Sequence, residues 1–285
     1  MSGRPVRLET SDGVALAARW WEPAAPAGTA VVLAHGFTGS KDDPGLVAVA
    51  EALRGAGHLV LAYDARGHGG SEGVCTLGDL ERHDVAAAVA HARRDAERVV
   101  AVGASMGAIA VLRYAADDPH LDGVVSVSSP ARWRYPRNPR TALAWGLTRT
   151  RLGRLAVRRL LHVRVSGRWE DPEPPAALAA RIRAPLAVVH GTADRFVPAA
   201  EAELLAAAVP RARLFLVPGM GHAFHRGAGP AVLEAVGWVL AQAGTAAAAP
   251  TSGSSTPASA SSHHQASPTS PGPVWATITE LNGPT

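Results

Sequence analysis

The most restrictive stretch of the chain is a run of β-branched apolar residues that ends in the pentapeptide Gly103-Ala104-Ser105-Met106-Gly107. Residues 99–102 are typical of a buried strand, and the Ala-rich residues after the pentapeptide are typical of a helix. A tight turn from strand to helix crowds the backbone, so glycine is favoured on both sides and the serine hydroxyl is held outward. The first N–H groups of the helix point to the same place and would stabilise an oxyanion there. The stretch therefore predicts a nucleophile elbow with Ser105 as nucleophile.

Apolar strands alternate with helical patterns on both sides of this stretch. Residues 6–9 and 16–21 flank Ser11-Asp12-Gly13, which predicts an antiparallel hairpin at the N-terminus. The later alternation is typical of an α/β fold with a mostly parallel, doubly wound sheet. Strands are predicted at 30–34, 59–63, 98–102, 123–127, 186–189 and 213–217, and helices at 44–56, 78–94, 106–117, 199–208 and 230–243.

The alternation fails between Pro130 and Arg183, where prolines and tryptophans accumulate and only residues 141–162 favour a helix. We interpret residues 1–129 and 184–243 as one core, with 130–183 inserted between two of its strands. From Gly244 to Thr285 the composition changes to Ala, Ser, Thr and Pro, with Glu280 as the only charge. Such a segment buries too little apolar area to offset its ordering entropy, so a disordered tail is predicted.

Composition restricts the chemistry of this chain of 285 residues. Cys75 is the single cysteine, which excludes an intramolecular disulfide and a cysteine metal cluster. The net charge is only +4 while the isoelectric point is about 9.9, because every basic residue except Lys41 is arginine. The first residues lack an apolar signal core and no apolar stretch is long enough to span a membrane, so a cytoplasmic location is expected.

A serine hydroxyl needs a base to take its proton and an acid to orient that base. Asp194 and His222 each follow a predicted strand, at the carboxyl end where open α/β sheets place their sites. The chain order Ser105, Asp194, His222 is the order expected for this architecture. Alternatives remain open: His225 and His190 compete for the role of base, and Asp64 for that of acid.

With these residues in place, the chain resembles the α/β-hydrolase superfamily, and within it the monoacylglycerol lipase-like, serine aminopeptidase S33-like esterases. The matching motifs span residues 1–243 in the expected order. They are His35-Gly36-Phe37, Asp64-Ala65-Arg66-Gly67-His68-Gly69, the elbow, Gly191-Thr192-Ala193-Asp194 and Gly221-His222.

The resemblance implies Ser105 as nucleophile, His222 as general base and then acid, and Asp194 as the orienting carboxylate. It also implies an oxyanion hole formed by the backbone N–H groups of Phe37 and Met106. It makes Asp64, Arg66 and His68 structural, and His35 is expected to brace its loop. No cofactor is implied, and no cluster of side chains at ligand spacing predicts a metal site.

Residues 123–169 contain eleven arginines and no acidic residue, so the rest of the chain sums to −7. In the resembled fold this insertion is a cap over the active site. Its arginines favour three interpretations: a solvated surface, attraction of anionic lipid or an acidic substrate, or contact with nucleic acid. No nucleic-acid-binding motif accompanies them, so nucleic acid is not expected as a partner. Weak contact of the insertion with an anionic membrane or lipid is a hypothesis that stays open beside the solvated surface.

The sequence thus predicts a serine hydrolase that cleaves carboxylic esters of small molecules through an acyl-enzyme on Ser105. A thioesterase, an amide or peptide hydrolase with the same three residues, and a non-catalytic binding protein with this fold are the alternatives. The acyl and alcohol groups of the substrate and the oligomeric state are left open, because fold does not determine them.

Overall fold

A computed structural model describes residues 3–133, 139–168, 170, 172–225 and 227–247, in which strands alternate with helices. The strands are β1 (Arg4–Glu9), β2 (Ala15–Trp21), β3 (Thr29–Ala34), β4 (Leu59–Tyr63), β5 (Arg98–Ala104), β6 (Gly123–Val127), β7 (Leu186–Gly191) and β8 (Arg213–Val217). The helices are α1 (Pro44–Gly55), α2 (Glu81–Ala92), α3 (Met106–Asp117), α4 (Pro139–Arg149), α5 (Arg151–Leu160), α6 (Pro175–Ala179), α7 (Ala199–Ala207) and α8 (Ala228–Ala247).

The strands form one sheet in the order β1-β2-β4-β3-β5-β6-β7-β8. The first pair is antiparallel, with Leu8 opposite Leu16, and β2 is antiparallel to β4. All pairs from β4 through β8 are parallel; in the centre, Val32 of β3 lies between Leu61 and Ala101. The predicted mostly parallel sheet with an N-terminal antiparallel hairpin is confirmed.

Two apolar cores cover the two faces of the sheet, because alternate side chains of a strand point to opposite faces. Along β5, Val99 and Ala101 belong to the core that includes residues of α2, α3 and α7. Val100 and Val102 belong to the core that includes residues of α1 and α8. Burial on both faces explains why the central strands are continuous apolar runs.

A single helical pattern is predicted over 141–162, but the structure has two helices there, because the helical conformation is interrupted at Thr150. The Thr150 hydroxyl accepts the N–H of Gly153 at 3.0 Å and so caps the start of α5. A Cβ at Gly153 would lie 2.3 Å from the carbonyl oxygen of Leu147, so the close turn between the helices requires glycine. The helix expected to end at Ala243 continues to Ala247, through four residues assigned to the tail, and residues 248–285 lie outside the described residues.

Backbone pairing ties the segment 163–166 of the insertion to the loop after β4. The N–H of Cys75 donates to Arg164 at 2.7 Å, and Arg164 in turn donates to Gly67 at 2.9 Å. Ser166 donates to the Cys75 carbonyl at 2.8 Å, which continues the pairing. The inserted segment and the core are therefore joined by strand-like hydrogen bonds.

Among the described helices, none combines the length and apolar character that crossing a membrane demands.

Close backbone approach at the end of β5 generates a stability prediction. A Cβ at Gly103 would lie 2.3 Å from the Gly107 carbonyl oxygen, so Gly103→Ala should lower the free energy of unfolding by about 1–3 kcal/mol. Gly237 is the matched control, because it is exposed within α8 and a Cβ there would have no neighbour within 4 Å. Gly237→Ala should raise the same free energy by about 0.5–1 kcal/mol. Urea unfolding of both variants measures the difference, and equal stability of the two would contradict the crowded turn.

Candidate active site

Ser105 lies between β5 and α3 in a conformation that side-chain-bearing residues rarely adopt, with φ 53° and ψ −113°. Contacts with the neighbouring strands β6 and β3 hold the turn in this conformation. The N–H of Ser105 donates to Val127 of the neighbouring strand at 2.8 Å. A Cβ at Gly107 would lie 2.4 Å from the carbonyl oxygen of Ala34, so α3 approaches β3 more closely than any other residue would allow. The predicted strand, sharp turn and helix are all present.

Three residues that are far apart in the sequence are joined by hydrogen bonds at the carboxyl edge of the sheet. Ser105 Oγ lies 2.9 Å from His222 Nε2. His222 Nδ1 lies 2.8 Å from Asp194 Oδ2. The side chain of His222 is 22% exposed, whereas that of Asp194 is 1% exposed. The arrangement gives a hydroxyl that faces a base, with a buried acid behind the base.

Asp194 is held as a carboxylate. Burial opposes its ionisation, but the hydrogen bond with His222 and the backbone N–H groups of Val197 and Phe196 outweigh burial and lower the pKa of Asp194. Oδ1 accepts those two N–H groups at 3.0 and 2.8 Å, which leaves Oδ2 for His222. A carboxylate at this position fixes the proton of a neutral imidazole on Nδ1 and leaves Nε2 able to accept the proton of Ser105.

The loops that carry Asp194 and His222 are bonded to each other. The N–H of Ala193 donates to Met220 at 3.0 Å, and Thr192 donates to the end of β8 at 3.0 Å. A Cβ at Gly191 would lie 2.1 Å from the Met220 carbonyl oxygen, so this contact depends on glycine. Next to His222, the N–H of Ala223 donates to the Ser128 hydroxyl at 3.1 Å. The separation of acid and base is therefore fixed by backbone contacts as well as by their own hydrogen bond.

The loop after β3 places Phe37 beside the elbow. A Cβ at Gly36 would lie 3.3 Å from the Ser105 Cβ, which shows how closely the two turns approach. Met106 is the first residue of α3, so its N–H precedes the hydrogen-bonded turns of that helix. The oxyanion hole formed by the N–H groups of Phe37 and Met106 stays a prediction, to which this close approach of the two turns is favourable.

Two buried histidines brace the Phe37 loop. His35 Nε2 accepts the N–H of Ala65 at 2.9 Å, and its Nδ1 lies 2.8 Å from the Gly36 carbonyl oxygen. His68 Nε2 accepts the N–H of Thr38, and the two imidazole rings lie 5.0 Å apart, edge to face. Burial and the neighbouring His68 lower the pKa of His35 to about 4, so the ring stays neutral and accepts from Ala65. These contacts agree with the expected bracing role.

The alternative acid, Asp64, is committed elsewhere. Its carboxylate accepts from Lys41 Nζ at 3.0 Å, from the Lys41 N–H at 2.9 Å and from the Gly70 N–H at 2.9 Å. Arg66 is likewise paired with Asp84 and Asp12. The motif therefore holds the two loops after β3 and β4 together.

The hydrogen bonds described for Ser105 involve neither of the alternative bases. His190 is buried at the end of β7, where its Nε2 lies 3.0 Å from the Val197 carbonyl and 3.7 Å from Asp194 Oδ2. Burial lowers the pKa of His190, which favours its neutral form. The ring of His225 packs against Gly221. Of the three histidines, the structure brings His222 to the serine hydroxyl.

Sequence reasoning missed two residues that shape the site. The ring of Phe196 lies 5.0 Å from the ring of His222, and Val197 donates its N–H to Asp194. A usable signal was available for the backbone contacts, because aspartate side chains commonly accept from N–H groups two and three residues onward. The contact between the Phe196 and His222 rings had no such signal in the sequence.

Within the described ranges, no group of three or more His, Cys, Asp or Glu side chains is arranged to hold a metal ion.

Comparison with known proteins places this chain in a family. The model for serine aminopeptidase, S33, matches residues 25–173, which is more than half of the chain. The chain belongs to the serine aminopeptidase S33 family. It has the α/β-hydrolase fold of that family, and family membership supports hydrolase activity.

Individual relatives add different information. Two uncharacterized proteins of Mycobacterium tuberculosis are 32% identical over 227 residues, which cover 78% of this chain and 73% of each relative. A polyketide transferase of Stachybotrys chlorohalonatus is 31% identical over 62% of this chain and 60% of its own. Among solved structures, an esterase of Pyrococcus furiosus superposes with a TM-score of 0.66 over 84% of this chain and 91% of its own, at 24% identity. At that identity the likeness shows the fold alone.

The buried His35 generates a prediction about pH. In the unfolded chain this imidazole binds a proton below about pH 6.5, whereas in the folded protein it stays neutral down to about pH 4. The unfolded state therefore binds more protons in this window, and stability falls as the pH falls, by up to about 3 kcal/mol. Urea unfolding at pH 7 and pH 4.5 should show a smaller pH dependence for His35→Gln than for the wild type. His120→Gln, at an exposed histidine, should retain the wild-type dependence, and an unchanged slope in His35→Gln would contradict the assignment.

Proposed function

We propose that the protein is a serine hydrolase that cleaves carboxylic esters through an acyl-enzyme on Ser105. The observation that carries the proposal is the continuous hydrogen-bonded path from Ser105 Oγ through His222 to the buried Asp194. The strained backbone at Ser105 supports it further, because residues held in such conformations cluster at active sites.

In the first half of the reaction, Ser105 Oγ attacks the ester carbonyl carbon while His222 Nε2 takes the hydroxyl proton. The N–H groups of Phe37 and Met106 stabilise the negative charge on the carbonyl oxygen. When the tetrahedral intermediate collapses, the bond to the alcohol oxygen breaks and His222 returns the proton to that oxygen. The alcohol leaves, and the acyl group stays on Ser105.

In the second half, a water molecule takes the place of the alcohol. His222 takes a proton from the water as it attacks the acyl carbon, and then returns it to Ser105 Oγ as the acid leaves. Asp194 stays ionised throughout and stabilises the imidazolium that forms twice in each cycle. Its lowered pKa suits this role, because the carboxylate persists well below neutral pH.

The same residues serve other acyl transfers. A thioester or a small amide would pass through the same acyl-enzyme, and an acceptor other than water would make the protein an acyltransferase. The polyketide transferase relative gives the last possibility a specific basis. A non-catalytic binding protein is disfavoured, because it would need none of the three hydrogen-bonded residues. We place the activity in the cytoplasm, a location predicted from the sequence.

Covalent labelling tests the nucleophile. A fluorophosphonate probe should label the wild type and leave Ser105→Ala unlabelled, while labelling of Ser105→Ala would assign the reaction to another serine.

Asp194→Asn should lower kcat for p-nitrophenyl esters by about 10⁴-fold, because the amide favours the wrong imidazole tautomer. Asp118→Asn is the control, since that buried carboxylate pairs with Arg93 away from the three residues. A p-nitrophenyl ester series of increasing chain length would then report the depth of the acyl pocket.

We further propose that α5 contacts anionic lipid. Leu152 is 81% exposed and Leu160 is 76% exposed, although apolar side chains of this size are usually buried. Arg158 and Arg159 are exposed on the same helix. Leucine side chains that enter a bilayer, with arginines that reach lipid phosphates, are typical of helices lying at a membrane interface. An anionic lipid surface is the partner that satisfies both kinds of side chain.

Vesicle binding tests this contact. The wild type should sediment with phosphatidylserine-containing vesicles at low salt, and Arg158→Glu/Arg159→Glu should bind more than tenfold more weakly, because each basic residue near the surface contributes about 1 kcal/mol. Arg183→Glu/Arg211→Glu makes the same charge change at exposed arginines outside α5 and should bind more tightly than the α5 variant. Wild-type protein that ignores anionic vesicles at low salt would overturn the proposal.

A further inference from the structure

A cavity of about 230 Å³ lies between the insertion and the loop after β4. It is distinct from the three hydrogen-bonded residues of the candidate active site, none of which lines it. Among the described residues that line it, three are arginines and none is acidic. These residues are Cys75, Thr76, Leu77, Thr148, Arg149, Arg154, Val165, Ser166, Gly167 and Arg168.

Arg154 presents part of its guanidinium to this cavity. Its Nη1 donates to the carbonyl oxygens of Thr148 and Arg149 at 3.3 and 3.1 Å. Those bonds orient the group but do not neutralise it, because carbonyl oxygens carry no net charge. Its Nη2 would lie 3.2 Å from a Cβ at Gly167, so the absence of a side chain there lets the guanidinium lie against the backbone.

Two arginines of this wall have no acidic counterpart among the residues that the structure describes. Across the part of the chain that the structure describes, neither Arg154 nor Arg168 forms an ion pair with a carboxylate. Behind the lining residue Thr76 lies a buried acid, Glu81, which is bonded to the N–H and hydroxyl of Thr76 and to the N–H of Gly78. Its negative charge is thus already satisfied by three donors. A ligand with a negative group would complete the cavity electrostatically.

The cavity also offers a neutral donor. The Ser166 hydroxyl oxygen accepts the N–H of Arg168 at 3.1 Å, and the hydroxyl proton is left to donate to a ligand. Arginine and hydroxyl donors together are the usual surroundings of a bound carboxylate or phosphate. The rest of the wall, with Leu77 and Val165, suits the apolar part of the same molecule.

Backbone pairing holds the wall of the cavity that contains Cys75 and Val165, and this wall adjoins the elbow. Cys75 and Val165 form a parallel β-bridge, so both sides of this wall are held by backbone pairing. Cys75 Sγ lies 3.5 Å from Met106 Sδ, and Met106 directly follows Ser105. The wall of the cavity is therefore in direct contact with the turn that carries the nucleophile.

We propose that this cavity binds a carboxylate or phosphate group at one end of the substrate while the ester of the same molecule reaches Ser105. The inference rests on the proposed ester hydrolysis and assigns its substrate class: esters of amphiphilic molecules that bear an acidic group. Arg154 and Arg168 are the residues that select the charge, and Ser166 adds a hydrogen bond.

Paired esters test the selection. Mono-p-nitrophenyl adipate and p-nitrophenyl hexanoate have acyl chains of the same length and differ at the far end, which is a carboxylate in one and a methyl group in the other. The wild type should have the higher kcat/KM for the adipate ester, mainly through a lower KM, and sodium chloride should reduce the difference. Arg154→Gln and Arg168→Gln should each lower the adipate-to-hexanoate ratio by about tenfold, since hydrogen bonds to charged groups are the strong ones.

Controls separate charge selection from damage to the fold. Arg183→Gln makes the same change at an exposed arginine of the insertion, away from the cavity, and should keep the wild-type ratio. Arg154→Lys keeps the charge and should retain part of the preference. Arg154 also holds the α4–α5 turn through its backbone contacts, whereas the Arg168 side chain makes no hydrogen bond within the described residues. Arg168→Gln therefore tests the proposal even if Arg154→Gln is unstable.

A binding measurement distinguishes failure of this inference from failure of the proposed function. Inorganic phosphate should raise the Tm of the wild type above that in chloride at equal ionic strength, and the rise should be lost in Arg168→Gln. If neither ester is cleaved and Ser105 is not labelled, the proposed hydrolysis fails, and this shift still decides whether the cavity binds anions. Equal kcat/KM for the two esters in the wild type would overturn the assignment to substrate, and a phosphate shift in that case would identify a site for a free anion. Absence of both effects would overturn the site altogether.

Discussion

The backbone conformation of Ser105 is the constraint on which the rest of the site depends. A residue at φ 53° and ψ −113° is strained, and such strain persists only where the surroundings impose it. Here they do so through the close contact of Gly103 with the Gly107 carbonyl and through the bond from Ser105 to Val127. Because β5 lies between β3 and β6, the loops after those strands must flank the turn. Sheet order therefore brings the Phe37 loop next to the serine, and the contacts of His35 and His68 then brace that loop.

Most buried charged side chains and imidazoles around this turn connect one loop to another. Asp194, which faces His222, differs from them. Asp64 is saturated by Lys41 and Gly70, and Arg66 is saturated by Asp84 and Asp12. Pairs of this kind add little net stability, because desolvation cancels much of their attraction, but removing one partner is costly. They therefore fix one arrangement of the loops after β3 and β4. Asp194 differs in that one of its oxygens is left to a side chain that can gain a proton.

Sequence patterns predicted the sheet because its central strands are apolar on both faces, and they predicted the candidate residues because Asp194 and His222 directly follow strands that end at the same edge. The break at Thr150 was missed, since it depends on the close contact of Gly153 with the Leu147 carbonyl, which periodicity does not encode. The cavity could not be predicted, because its walls come from three segments that are distant in the sequence. Phe196 was missed for a similar reason, as its contact with the His222 ring is set by the folding of the loop after β7.

Under the proposed hydrolysis, the core and the insertion would have different tasks. Ser105, Asp194 and His222 all lie on loops of the sheet, so the core would determine which bond is attacked. The insertion contributes most of the cavity wall, and its arginines carry a charge that the core does not share. The two proposed uses of the arginines between residues 123 and 169 involve different guanidinium groups. Arg158 and Arg159 are exposed on α5, whereas Arg154 and Arg168 line the cavity.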